Sequence, residues 1–157
     1  MATNRIRVAK DKGELVKQLT ASPETTGPFQ TYADAMVFAA ALGAKHKKRV
    51  PLGEISKREP GAIGLDIFVS RGYDLVIKLL AVTETQDIKI LSSNDEQDED
   101  KRIHIFEEYA NGGLEILHGE FHGAVDYSER LTLILSNERE KPEQPEEQFD
   151  LSRFLNS

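Results

Sequence analysis

One apolar stretch constrains this chain more than any other feature, because residues 33–42 contain a single polar residue, Asp34. Thr31 stands where an N-cap is expected, and Asp34, three residues later, completes the pattern of a capping box. Together they predict a helix that begins at Tyr32. A helix without a polar face is expected to be packed on all sides, at the centre of the core. Gly43 is expected to end this helix as its C-cap.

Five basic side chains follow the apolar stretch directly: Lys45, His46, Lys47, Lys48 and Arg49. We call them the 45–49 cluster. Contacts to DNA phosphates need exposed, closely spaced cations, and each contact releases counterions that add to affinity. The cluster is therefore the leading candidate for binding DNA or an acidic partner, and it would be widened by Arg5, Arg7, Lys10, Lys57 and Arg58 if folding brings them near. The alternative is that these cations only complement the dipole of the preceding helix.

The formal net charge of −7 is distributed unevenly along the chain. Residues 1–60 hold eleven Lys/Arg against six Asp/Glu, whereas residues 61–157 hold nine against twenty-one. This asymmetry indicates a cationic surface made by the N-terminal part, offered to a polyanion or an acidic partner. The alternative is an internal arrangement in which the basic end of the chain faces the acidic one.

Length and composition favour one soluble domain. The 157 residues, 39% of them apolar, are enough for a single core. No apolar run approaches the ~20 residues needed to cross a bilayer, and the N-terminus lacks the apolar region of a signal peptide. The absence of cysteine excludes disulfides and thiolate metal sites and suits a reducing cytosol. We therefore expect a cytoplasmic protein without membrane contact.

The pattern of the remaining apolar residues predicts a mainly α fold with about five helices. Leu15, Val16 and Leu19 share one face of a first helix, and a second core helix begins at Tyr73 with a broad apolar stripe. Residues 63–69 alternate, which allows a small β element together with residues 5–8.

The periodicity continues from Ile103 to Phe121 through Asn111, Gly112 and Gly113, where we expect a kink or a tight turn. Asp126 or Ser128 can cap a final helix.

The C-terminal part differs from the rest in composition. We expect a compact helical domain over residues 1–137, followed by a flexible acidic linker at 138–148 that is rich in Pro and Glu. Residues 149–155 are too apolar for a free tail, and we expect Phe149, Leu151, Phe154 and Leu155 to dock on this chain or on another. An exchange of this segment between two chains would give a homodimer.

Four segments resemble one protein family: KDKGELVKQL at 10–19, TYADAMVFAAALGAKHKKRVPL at 31–52, YDLVIKLLAVTETQDIKIL at 73–91 and IFEEYANGGLEIL at 105–117. The chain is similar to the small accessory proteins encoded beside the Dnd genes, called DNA phosphorothioation-associated protein 4 or Dnd system-associated protein 4. The resemblance covers most of residues 5–135 and leaves the tail outside. It implies a bacterial or archaeal role, with Dnd-system proteins as partners, in replacing a phosphate oxygen of DNA by sulfur or in the linked restriction of unmodified DNA. It implies no defined activity.

Three motifs suggest other chemistry. Ala39, Leu42 and Gly43, followed by residues 45–50, resemble the start of a helix-turn-helix, although Pro51 would shorten its second helix. His118 and His122 lie one helical turn apart, and Glu115 or Asp126 would complete a metal site. Asp74 with Asp87 and Lys89 follows the order of acids and lysine by which some nucleases hold Mg²⁺.

We expect none of these motifs to be a functional site, so the sequence predicts no catalytic residue, no metal and no cofactor. The leading hypothesis is a non-enzymatic accessory or adaptor of the phosphorothioation machinery, which contacts the DNA backbone without sequence preference or contacts a partner protein. The alternatives are a DNA-binding regulator of the same gene cluster and a metal-dependent nuclease subunit.

Overall fold

The computed structural model describes residues 4–92, 95–123 and 126–140, and it confirms a mainly α fold. The described residues form six α-helices: α1 Gly13–Leu19, α2 Tyr32–Lys45, α3 Leu65–Ser70, α4 Asp74–Thr85, α5 Glu96–Phe121 and α6 Tyr127–Glu140. Short 3₁₀ turns precede α1 at Lys10–Lys12 and follow α4 at Ile88–Leu91. The same residues also form two small antiparallel pairs: β1 (Arg5–Ile6) with β4 (Ile63–Gly64), and β2 (Ala21–Ser22) with β3 (Thr25–Thr26).

The start of α2 is confirmed in detail. The Thr31 hydroxyl accepts a hydrogen bond from the Asp34 amide at 3.2 Å, and the Asp34 carboxylate accepts one from the Thr31 amide at 3.1 Å. The prediction that α2 is packed on all sides is wrong, because Ala41 is exposed and Val37 and Phe38 are only partly buried. Helices α1 and α5 cover two sides of α2, and the side that carries these three residues stays at the surface.

Gly43 of α2 and Gly112 and Gly113 of α5 serve close packing and do not end or bend the helices. Helix α5 runs unbroken for 26 residues. A Cβ on Gly113 would lie 1.7 Å from the carbonyl oxygen of Ala39, and one on Gly43 would lie 2.1 Å from that of Tyr109. The expected kink at residues 111–113 and the expected C-cap at Gly43 are therefore wrong, since α2 continues to Lys45. We call this contact between α2 and α5 the glycine seam.

The hydrophobic core is built around that seam. Phe106, Leu114 and Leu117 of α5 are fully buried or nearly so, as are Met36 and Ala39 of α2. The predicted face of α1 is confirmed, because Leu15, Val16 and Leu19 are all buried. Helix α3 contributes Phe68, whose ring meets that of Phe106 edge to face at a centroid distance of 5.6 Å.

Two predicted elements differ from the structure, one in its length and one in its burial. The β element is confirmed at Arg5–Ile6 and Ile63–Gly64, but Leu65–Ser70 is helical, so the strand predicted over residues 63–69 is too long. In α4 the helical repeat buries Ile77 and Ala81 and leaves Leu75 and Leu79, on the opposite side, 61% and 56% exposed. The predicted stripe is therefore divided, with Leu75 and Leu79 at the surface and Val76, Leu80 and Val82 partly buried.

The last helix extends further than expected. Asp126 caps α6, since its carboxylate accepts a hydrogen bond from the Glu129 amide at 3.1 Å. Because α6 reaches Glu140, the first three residues of the predicted linker are helical. The remaining linker and the predicted docking residues Phe149, Leu151, Phe154 and Leu155 lie outside the described residues. In the part of the chain that the structure describes, no helix combines the length and the apolar character needed to cross a membrane.

Candidate nucleic-acid or partner interface

The 45–49 cluster lies at the end of α2 and in the turn that follows, where it meets carboxylates from distant parts of the chain. Lys45 and His46 both contact Glu138 of α6, at 2.9 and 2.7 Å. Lys48 lies 3.5 Å from Glu115 of α5. These ion pairs fix α6 and the middle of α5 to the end of α2, and they lower the charge that the cluster presents to solvent.

Arg49 is the most firmly held member of the cluster. Its Nε donates to Glu108 at 2.6 Å and its Nη1 donates to Glu84 at 2.8 Å, which joins α4 and α5 to the turn after α2. Glu84 also accepts a hydrogen bond from the Tyr109 hydroxyl, and His104 lies 3.3 Å from Glu108. Burial and then the Glu84 carboxylate raise the pKa of Tyr109 to about 12. Burial alone would lower the pKa of Arg49, but its hydrogen bonds to the two carboxylates raise it. Arg49 is thus a structural link between three elements.

Arg5 and Arg7 are positioned by β1 beside the first half of α5. The Arg7 guanidinium donates two hydrogen bonds of 2.9 Å to Glu107, which also accepts the Arg7 amide at 2.6 Å. Glu107 is fully buried, and its bond to Arg7 raises the pKa of that guanidinium. Arg5 is exposed, with one long contact of 3.4 Å to the carbonyl of Ala62. Of the two predicted binding residues, only Arg5 is free of a carboxylate within the described residues.

Lys57 and Arg58 line a different site, a groove of about 1090 Å³ between α1 and residues 53–59. Lys10 and Lys17 stand on the α1 side of this groove, which we call the basic groove; it also contains Glu14, Glu54 and Glu59. Lys10 pairs with Glu54 at 3.0 Å, and both side chains are highly exposed. Lys17, Lys57 and Arg58 form no ion pair with any described residue. Folding therefore joins Lys57 and Arg58 to Lys10 at a site separate from the 45–49 cluster, and it adds Lys17, which the sequence pattern did not single out.

The wall of the basic groove is held by buried polar contacts. The Ser56 amide donates to the Val8 carbonyl at 2.8 Å, and the Lys10 amide donates to the Glu54 carbonyl at the same distance. The buried Ser56 hydroxyl donates to the Pro60 carbonyl at 2.9 Å. These contacts fix the 53–60 segment against the strand and turn before α1, so the cations on the two walls keep a defined separation.

The motifs that suggested other chemistry are not assembled. Residues 46–62 contain no helix, so the second helix of a helix-turn-helix is missing. Asp74 and Asp87 stand at opposite ends of α4, whose 12 residues span ~18 Å, too far to share one ion. His118 and His122 are exposed at the end of α5, and within the described ranges no three acidic or histidine side chains are grouped as metal ligands.

A hydrogen-bonded group around the Asp34 carboxylate ties the start of α2 to the turn between α3 and α4. Asp34 accepts two hydrogen bonds of 3.0 Å from the Arg71 guanidinium and another from the Tyr73 hydroxyl. Burial would raise the pKa of Asp34, but the bonds from Tyr73, Thr31 and Arg71 outweigh it and lower this pKa. The Tyr109 hydroxyl, and then Arg49, lower the pKa of Glu84 in the same way.

Stability is therefore expected to decrease in acid. A carboxylate whose pKa is lowered by folding stabilises the protein above its ordinary pKa, here 3.8 for Asp34 and 4.5 for Glu84, and this stabilisation is lost as the pH falls through the folded value. Urea unfolding measured between about pH 7 and pH 3 should show the loss. Arg49→Met should make the dependence shallower; an equally steep profile in that variant would contradict the role of Arg49.

The comparison with known proteins agrees with the resemblance seen in the sequence. The family described as DNA sulphur modification system-associated protein 4 has a sequence model that matches residues 5–154. This match includes most of the tail, which the resemblance over residues 5–135 had left outside. No curated protein and no solved structure matches the chain. Because the match covers nearly the whole sequence, the chain belongs to the DNA sulphur modification system-associated protein 4 family, which is associated with a DNA sulphur modification system.

Proposed function

We propose that the protein is a non-enzymatic accessory or adaptor of a DNA phosphorothioation (Dnd) modification and restriction system, and that it contacts DNA or a partner protein through a basic surface. The association of the family with DNA sulphur modification supports the accessory role. The observation that carries the choice of surface is the basic groove, because Lys17, Lys57 and Arg58 form no ion pair with a described carboxylate.

The geometry of the basic groove suits an extended phosphate backbone. The groove also holds three carboxylates, but the cations on its two walls that are not paired with them, on α1 and on residues 57–58, would meet a strand of phosphates from two sides. Contacts of this kind position a nucleic acid without reading its sequence. Because the whole chain carries a net charge of −7, the binding should be weak. Because it would be made of contacts to phosphates, it should depend strongly on salt.

The other predicted binding residues take a second place in this proposal. Lys45 and Lys48 keep about half of their side-chain surface exposed, at 52% and 40%, but each lies beside a carboxylate. A phosphate would have to replace Glu138 or Glu115 there, so the gain from each contact is reduced. Arg49 and Arg7 are engaged in buried or partly buried pairs, and releasing them would destabilise the fold.

The test is a charge reversal in the basic groove. Lys57→Glu combined with Arg58→Glu should weaken binding to a DNA duplex and reduce the slope of log K against log salt by about 2, since each lost phosphate contact contributes about 1. Fluorescence anisotropy at several salt concentrations measures this slope. The matched control is Lys89→Glu with Arg139→Glu, which makes the same change in net charge at two exposed cations outside the groove.

Equal losses in the two double variants would mean that only net charge matters and that the groove is not the site. If the parent protein does not bind DNA, the same pair of variants should be compared for retention on purified Dnd-system proteins. If a partner protein retains the control variant but not the groove variant, this would support adaptor contact through the groove. If it retains both variants equally, this would contradict such contact.

A further inference from the structure

The outer face of α4 is an apolar surface whose two central leucines are exposed. Leu75 and Leu79 lie one turn apart and are 61% and 56% exposed. Val76 and Val82 flank them and are partly buried, and Val82 packs at its inner edge against a small cluster around Ala81. Thr83 continues the row by one more turn. We call these five residues the α4 outer face. None of them is charged, and a helix face of this kind is usually covered by another element.

Exposed apolar side chains are concentrated around this helix. Of the seven large apolar residues that are exposed in the described ranges, five lie between residues 65 and 91: Ile67, Val69, Leu75, Leu79 and Ile88. The other two, Leu133 and Leu135, are on α6. The α3–α4 region therefore carries most of the large apolar side chains that are exposed on the described surface.

We propose that the chain's own C-terminal segment, residues 149–155, covers the α4 outer face. This segment lies outside the described residues and carries four large apolar side chains: Phe149, Leu151, Phe154 and Leu155. The family match continues through residue 154, so the segment belongs to the same family unit as the helices. The inference is independent of the basic groove and of the proposed function.

The contacts of α6 and α4 bring the start of the tail within reach of this face. Glu138, near the end of α6, contacts Lys45 and His46. Three residues further along, Arg49 contacts Glu84 in the last turn of α4. The main chain of those three residues spans at most ~11 Å, to which the side chains of the two contacts add, and residues 141–148 span up to ~28 Å when extended. The linker is therefore long enough to carry the segment onto α4.

Charge favours α4 over a cavity beside the end of α6. That cavity, of about 470 Å³, has Ile116 and Ile134 in its wall together with the carboxylates of Glu120 and Glu140 and that of Glu138, which is already paired with Lys45 and His46. The tail brings further acidic residues with it, at positions 143, 146, 147 and 150. Like charges would oppose docking in the cavity, while the α4 outer face has no charge to oppose it.

The experiment uses the absence of cysteine from the chain, which allows thiols to be placed singly. The full-length protein carrying Thr83→Cys and Ser152→Cys is treated with a short bis-maleimide. The control pairs Ser152→Cys with Thr132→Cys, an exposed threonine on α6 that is much closer to residue 152 along the chain. Loop closure alone favours the control. Docking on α4 should reverse this order. The cross-link between positions 83 and 152 within one monomer should then form about tenfold faster than the control cross-link between positions 132 and 152.

Three other results would overturn the proposal. A rate at position 83 equal to or below that of the control means that the segment does not lie on α4. A product of twice the monomer mass means that a second chain provides the segment. Leu79→Ser should reduce the rate at position 83 to that of the control while Leu79→Met retains it, so an unchanged rate in Leu79→Ser would also contradict docking on this face. Leu79 is 56% exposed in the described structure, so neither change should prevent folding.

Discussion

Replacing Gly113 by alanine is expected to prevent α2 and α5 from packing at their observed separation. The added Cβ would lie 1.7 Å from the Ala39 carbonyl oxygen, which is main chain and cannot turn aside. The helices would have to move apart along the glycine seam, and overpacking of this severity costs ~3 kcal/mol or more. Thermal unfolding followed by circular dichroism should show a decrease in Tm of about 10 °C, or no folded protein.

Gly119→Ala is the matched control, because Gly119 lies in the same helix and a Cβ there meets nothing within 4 Å. Alanine is the better helix former, so this change should leave the protein unaffected or stabilise it by up to ~1 kcal/mol. If the two variants melted at the same temperature, the close contact of α2 and α5 at Gly113 would be disproved.

Phe106→Ala is the second change with a large expected effect. The ring is fully buried in the core beside Phe68, and removal of such an aromatic side chain costs ~3–5 kcal/mol through lost burial and the cavity left behind. For a domain of ordinary stability this is a large fraction of the total. Urea denaturation measures the free energy of unfolding directly.

Phe38→Ala provides the comparison on α2. Phe38 packs on Phe29 at a centroid distance of 5.4 Å, but it is only partly buried, so its removal should cost about half as much as that of Phe106, or less. Equal costs for the two variants would show that Phe38 is as deeply buried as the sequence pattern had suggested.

Local signals in the sequence predicted local structure well. The capping box at Thr31 and Asp34 and the cap at Asp126 depend on residues within one turn of each other, and both are present. The mainly α fold and the family were also predictable. What failed were inferences about glycines and charged side chains whose partners lie far away in the sequence. Gly112 and Gly113 have the same appearance whether a helix ends or another helix packs closely, and only the position of α2 decides between these possibilities.

The candidate site shows the same limit. Arg49 was recognised as part of a basic cluster, but its partners Glu84 and Glu108 lie 35 and 59 residues away. Arg7 and Glu107 are separated by 100 residues. Much of the excess positive charge of residues 1–60 therefore faces acids of the second half of the chain, which is the internal arrangement left open by the composition. The place of Lys17 in the basic groove could not be predicted for the same reason, because no sequence pattern connects it to residues 57 and 58.

The glycine seam has a thermodynamic consequence. Where main chain lies against main chain, the helices exclude water from little apolar area, so dispersion contributes more there than the release of water does. The heat capacity of unfolding scales with the apolar area that is exposed, and this part of the interface adds little to it. Cooling weakens the hydrophobic effect. It should therefore destabilise the contact between α2 and α5 less than it would destabilise a helix–helix contact made of leucine side chains.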